Sequence, residues 1–277
     1  MMEIKKKLLD ELNKSNFTIG DIEKFIEDCK KYKIIKYKNI TIHVLYKNSL
    51  NIKLLNKVIK RCNFITAKEL NIYLILYPLK RFLPKKNNFI KYININGGYT
   101  DITGNNIFII REEEYPKVIL HEIIHHNNNI NNNNWDYINT NKLKKIFNIS
   151  EKTILLPNEA IVELWATLYH LKFISKEYKL NFNKLLKEEI EYSLYKSYIL
   201  KKLLKNKWYE ETNAYCYIIF KTIFLYNLKE FLKIDFPYNP DKITNFLIKY
   251  SKLPIIKKNP NKNISNKSLR IMINSDK

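Results

Sequence analysis

The sequence predicts an α+β protein: a small mixed β-sheet in the N-terminal half, then a mainly helical C-terminal half. Three observations carry this. Alternating and β-branched runs fall before residue 111. Apolar residues recur at helical spacing along most of the chain after it. Only four glycines punctuate the 277 residues, too few for a turn-rich all-β design.

The elements follow in order. Residues 2–32 space their apolar side chains as a helix does. Residues 34–46 alternate, with Ile40, Ile42 and Val44 set against Thr41, His43 and Leu45, which predicts strand. Residues 50–62 read as helix, 71–77 as a buried strand and 89–94 as a further strand. Gly97, Gly98 and Gly104 then fall within eight residues and mark a turn cluster before a strand at 106–110. This block reads as a β-hairpin or as an edge strand beside a cleft. Acids from Glu113 and Pro116 suit the start of a helix running to about His126. The Asn-rich tract 127–134 reads as loop. Helices are expected from Pro157 to 175, over 183–206, 209–226 and 239–250, and then a Lys/Asn-rich tail. The organisation is thus 1–110 as a mixed subdomain, 111–256 as a helical one and 257–277 as a basic tail.

The net charge is +22, from 49 basic and 27 acidic residues. That suggests nucleic acid, yet only Arg61, Arg81, Arg111 and Arg270 are arginines. Phosphate and base recognition favour the forked guanidinium over lysine. Lys, Asn and Ile are inflated together, as AT-rich coding produces. Coding bias is therefore the first reading of the charge and an acidic peptide or protein partner the second, with nucleic acid the weakest. Cys29, Cys62 and Cys216 are too few and too scattered for a disulfide framework. No run is long enough to span a membrane, and residues 1–15 lack the apolar core of a secretory signal. The chain is expected to be soluble and cytoplasmic, with no membrane partner.

The chemistry lies in Val118-Ile119-Leu120-His121-Glu122-Ile123-Ile124-His125-His126. His121 and His125 are four apart, so both imidazoles leave one face of a helix and can reach one Zn²⁺. Glu122 follows at the edge of that face, where a carboxylate can take a proton from an activated water. Independent placement would give about 0.006 such matches in a chain of this composition, so the motif is specific. His126 lies about 140° around the helix from His121 and is not expected to be a ligand.

A catalytic zinc needs a third protein ligand and an open position. Glu159 and Glu163 share a face of the next helix, whose other sides carry Ile161, Val162, Leu164 and Trp165. Two carboxylates in such a helix are costly to bury unless paired or metal-bound. Glu159 is assigned as ligand, with Glu163 holding a ligand histidine's second N–H; the reverse assignment is the alternative, and two solvated carboxylates would end both. Tyr215, Tyr99 and His170 are candidates for a donor to a tetrahedral oxyanion, with Tyr215 preferred. His43 reads as structural.

His121-Glu122-Ile123-Ile124-His125 followed by Asn158-Glu159-Ala160 resembles the gluzincin branch of the zincin metallopeptidases. The stretch Asn96-Gly97-Gly98-Tyr99-Thr100, residues 107–111, Glu113-Glu114 and Lys117-Val118 is similar to metallopeptidase-like proteins of large DNA viruses. The resemblance covers about 96–170, and the 33 residues between His125 and Glu159 exceed the short gap of thermolysin-like members. It implies a zincin-like fold, Zn²⁺ on His121, His125 and Glu159, Glu122 as general base, Glu163 supporting a ligand, a viral setting in host cytoplasm or virion, and a cleft strand at 106–110 that pairs with substrate backbone. The expected activity is zinc-dependent hydrolysis of a peptide or protein amide. The alternatives are an inactive zincin that binds protein and, more weakly, a Lys-rich nucleic-acid-binding protein.

Overall fold

The computed structural model describes residues 1–15, 19–85, 88–101, 104–127, 135–203 and 207–274. Their described parts make two compact units, one from 1–81 and 96–127, the other from 82–95 and 128–274. Among the described residues no helix is long and apolar enough to cross a membrane. In chain order the elements begin with α1 (Met2–Lys14), α2 (Ile22–Asp28), β1 (Lys31–Tyr37), β2 (Ile40–Tyr46), α3 (Ile52–Ile65) and β3 (Leu70–Ile75). The short helix α4 (Tyr92–Ile95) precedes β4 (Gly98–Thr100), β5 (Asn106–Ile109) and α5 (Tyr115–His126). The rest is helical: α6 (Tyr137–Ile146), α7 (Asn158–Glu177), α8 (Phe182–Leu203), a π-helix at Cys216–Phe220, α9 (Lys221–Tyr226), α10 (Leu228–Phe231) and α11 (Pro240–Lys249).

The first unit is a five-stranded sheet in the order β1-β2-β3-β5-β4. β2, β3 and β5 run parallel, and the outer strands β1 and β4 pair antiparallel. Alternation decides its faces. Ile40, Ile42, Val44, Ile72, Leu74, Ile107 and Ile109 pack with α3 and α5 in one core. The opposite face carries a ladder of stacked rings, one from each strand: Tyr32, His43, Tyr73, Phe108 and Tyr99. Lys7 of α1 sits over the Tyr73 ring, 4.6 Å from its centroid. β1 exposes Lys31, Lys33 and Lys36, and a charged edge of this kind discourages strand addition.

The expected helix over 2–32 is two helices and the start of a strand. Ser15 is extended (φ −94, ψ 140), and Gly20 takes φ 51 where a Cβ would meet the Tyr77 hydroxyl at 2.9 Å. The strand over 34–46 is a hairpin, turned through Lys38 at φ 49. Residues 89–94 are not a strand. Asn94 bends the chain locally, its Oδ1 accepting from Lys91 N at 2.8 Å, and Ile90 keeps only a bridge to Glu210. Strand 106–110 is not an edge: it forms a hairpin with β4, which lies outside it, so the outer strand on that side is the half-buried Gly98–Thr100. The boundary expected near 111 falls inside the first unit, because α5 packs on the sheet. The Asn-rich loop falls on 128–134, outside the described residues.

In the second unit, residues 208–213 are not helical, correcting the 209–226 expectation. Glu210 accepts from the N–H groups of Ala214 and Tyr215 at 2.8 and 3.0 Å and so sets the helix start there. The tail is not loose. Leu269, Ile271 and Met272 are buried, and Met272 joins Leu171, Ile174 and Leu185 in a core cluster. The described part of the expected helix over 183–206 ends at Leu203; residues 204–206 lie outside the described residues.

Candidate metal centre

All twelve residues of α5 are buried. Val118, Ile119 and Ile123 join the sheet core, so burial of the helix is driven by apolar area. The histidines ride on that helix. His121 and His125 are 6% and 9% exposed, and their Nε2 atoms stand 3.0 Å apart. Two nitrogens on a tetrahedral zinc stand roughly 3.3 Å apart, so the imidazoles are already near the spacing that an ion imposes. Glu122 is buried beside them, and its carbonyl accepts from the Thr100 hydroxyl at 3.2 Å.

Glu159 lies in the first turn of α7, set by Pro157 and by a bond from its own N–H to the Leu156 carbonyl at 3.0 Å. One ligand atom each from His121, His125 and Glu159 lie within 4.8 Å of one another, a group that could hold a metal ion. The donor set fits the expected cofactor, since two imidazoles and one carboxylate are zinc ligands that leave a position open. The same set does not by itself identify the ion as zinc. Glu163 is 1% exposed and Glu159 half-buried, so the reading of two solvated carboxylates is overturned.

Other candidates go elsewhere. Tyr215 is part of an aromatic core with Phe147, Trp208 and Phe220, and its hydroxyl donates to the Phe147 carbonyl at 3.4 Å. Burial raises its phenol further, so the expected oxyanion donor is a packing residue. Tyr99 stacks on Phe108, on the sheet face away from α5, and burial pushes its phenol up to about 12. His170 is fully buried and its Nε2 meets the Asn274 carbonyl at 3.3 Å. His126 Nε2 donates to the Gly104 carbonyl at 2.8 Å. His43 stacks within the ring ladder, 2.6 Å from the Tyr32 hydroxyl. Cys216 is buried, and burial, then the charges of Glu210 and Glu159, push its thiol well above the ordinary value. It stays a neutral thiol.

Sequence reading missed one cluster. Arg81, Arg111, Glu113 and Glu114 are all buried at the start of α5. Arg81 Nη1 meets Glu114 Oε2 at 2.7 Å, and Arg111 donates to the Asn96 and Leu79 carbonyls at 3.0 and 2.8 Å. Burial, then repulsion from Arg81, push Arg111 down to about 9. Burial and the Glu114 charge push the Glu113 carboxyl up. A signal existed: in a chain whose cations are nearly all lysine, three of the four arginines are buried.

Comparison with protein-family models, curated proteins and solved structures finds no match.

Proposed function

We propose that this protein is a zinc-dependent peptidase that hydrolyses a peptide or protein amide. The observation that supports it is the convergence of His121, His125 and Glu159 ligand atoms, with Glu122 next along the same helix. A zinc ion held there would supply a Lewis acid to water and to the scissile carbonyl. Glu122 accepts the proton of the attacking water at its carboxylate and returns it to the leaving amine. Glu163, buried one turn after Glu159, is the carboxylate assigned to orient a ligand imidazole. The buried, apolar setting of α5 keeps bulk water from the acid–base pair.

The test is elemental analysis of the purified protein, then cleavage of an unbiased peptide library with and without chelator. One zinc per chain and chelator-sensitive cleavage are expected. Glu122→Gln should keep the metal and lower turnover by about 10²–10⁴-fold. Stoichiometric zinc with no cleavage would favour the inactive, protein-binding form instead.

A further inference from the structure

We propose that Arg81 is a positioning residue for the two imidazoles, an inference that rests on the metal-site reading. Glu114, which precedes α5, sits in the left-handed region (φ 64, ψ 15), and its own side chain makes no cap hydrogen bond to this helix. A residue with a Cβ holds that conformation only where its surroundings impose it. Here the imposing group is Arg81. Its Nη1 donates to the Glu114 carboxylate at 2.7 Å and to the Glu113 carbonyl at 3.0 Å. Its backbone N–H donates to Glu113 Oε2 at 2.6 Å. One residue thus grips both acids and the backbone between them.

The Glu114 carbonyl then accepts from the N–H groups of Lys117 and Val118, both at 3.0 Å, and so begins the hydrogen-bond ladder of α5. That ladder runs two turns to His121 and three to His125. A slip of one residue would turn each imidazole by about 100°. Such a turn would also carry Val118, Ile119 and Ile123 off the sheet, so apolar packing sets the face of α5 coarsely and directional bonds at its start sharpen it. Hydrogen-bonded charges are directional, and fixing register is the best-attested use of a buried ion pair. A forked, permanently charged side chain suits that task where a lysine does not.

The probe is Co²⁺, added to the metal-free, full-length chain and read by its visible absorption, with far-UV circular dichroism confirming fold at the same temperature. The unaltered chain should bind one cobalt with the strong band of a tetrahedral site. Arg81→Lys should bind at least tenfold more weakly, with a weakened or shifted band. Val58→Ala, a cavity in the same core on α3, should lower the melting temperature yet keep the cobalt affinity and band. Should Arg81→Lys fail to fold, Gly97→Ala replaces it: a Cβ there would overlap Arg81 Nη2 and stand 3.0 Å from Val118 Cγ2, so the guanidinium must give way first, without loss of a charge. Unaltered cobalt binding in Arg81→Lys, or in Gly97→Ala where that stands in, overturns the positioning role. So does a loss in Val58→Ala equal to that in Arg81→Lys. No cobalt binding by the unaltered chain overturns the metal-site reading itself, and the two failures are told apart.

Discussion

Arg81–Glu114 in the first unit and Lys221–Glu189 in the second are both withdrawn from water, with N···O distances of 2.7 and 3.2 Å. Arg81 uses its fork on neighbouring residues and fixes the end of a helix. Lys221 uses a compact ammonium in three directions, toward Glu189 Oε1, Ser193 Oγ and the Ile271 carbonyl. Glu189 Oε2 accepts in turn from Ile273 N at 3.0 Å, and the Tyr192 hydroxyl donates to the Arg270 carbonyl at 3.0 Å. The second pair therefore holds a segment with no regular structure, supplying partners that a helix or sheet would otherwise give. The same physics, a buried charge that must be fully bonded, positions the helix of the two imidazoles in one unit and holds a chain segment against the core in the other.

The largest effect expected from this comparison is in the second unit. Lys221→Met leaves the Glu189 carboxylate buried without its cation and should cost about 3–5 kcal/mol in denaturant unfolding. Adding Glu189→Leu should recover only part of it. The double variant removes the stranded charge but leaves Ile271 O and Ile273 N without these partners, at about 1–3 kcal/mol each. Full recovery would mean that the pair does not hold the tail. A single variant as stable as the unaltered chain would remove the contrast between the units altogether.

A smaller effect separates the units by pH. Glu210 is 2% exposed, and burial pushes its carboxyl up to about 7 despite the backbone and side-chain donors around it. A value above the usual 4.5 means that the fold favours the neutral form. The group's contribution is therefore whole below about 4.5 and is lost as pH rises through about 7. Between pH 4.5 and 8 this carboxyl should remove roughly 3 kcal/mol of stability. Glu210→Gln stays neutral and should flatten that part of the profile, measured as urea midpoints at several pH values. An unchanged slope would assign the pH dependence to another group, such as Glu113 in the first unit, whose carboxyl is also raised by burial.

These charged devices were also the least legible parts of the sequence. Period-2 and period-3.6 patterns found β2, β3, α3, α5 and α7, because each buries one face or all of its faces. The spacing of His121, Glu122 and His125 needed only helix geometry, and Glu159 was found because a carboxylate amid apolar neighbours requires a reason. Local patterns could not reveal the break after Ser15 or the bend at Asn94, where side-chain and backbone bonds override periodicity. The glycine cluster does mark a hairpin, and β4 pairs antiparallel with β5; what no local pattern shows is that β5 then joins β3 in parallel, since pairing order is a tertiary choice. Tyr215 shows the same limit. A tyrosine beside a cleft and one inside an aromatic core have the same local sequence, and only packing separates them. The buried ion pairs join residues about 30 apart, Arg81 with Glu114 and Glu189 with Lys221, so no window of one element contains both partners.

The smallest contrast is at helix starts. In the first unit, Asn51 Oδ1 accepts from Leu54 N at 3.0 Å and caps α3. In the second, Asp136 Oδ1 accepts from Asn139 N at 2.7 Å and caps α6. Replacing either cap by Ala should cost about 1 kcal/mol. Asp136 has more to lose. The Asn139 amide also reaches its second oxygen at 3.4 Å while bonding Asp241 of α11 at 2.8 Å, and its negative charge suits the positive end of the helix. Asp136→Ala should therefore exceed Asn51→Ala by a few tenths to 1 kcal/mol, the usual worth of a charge at a helix end, and raised salt should narrow the gap. Asn51→Asp should equal or slightly exceed the unaltered chain, because it keeps the acceptor and adds that charge. Equal losses at the two alanine variants in both low and high salt would show that the α6 cap works through its hydrogen bond alone, with no part played by its charge or by its link to α11.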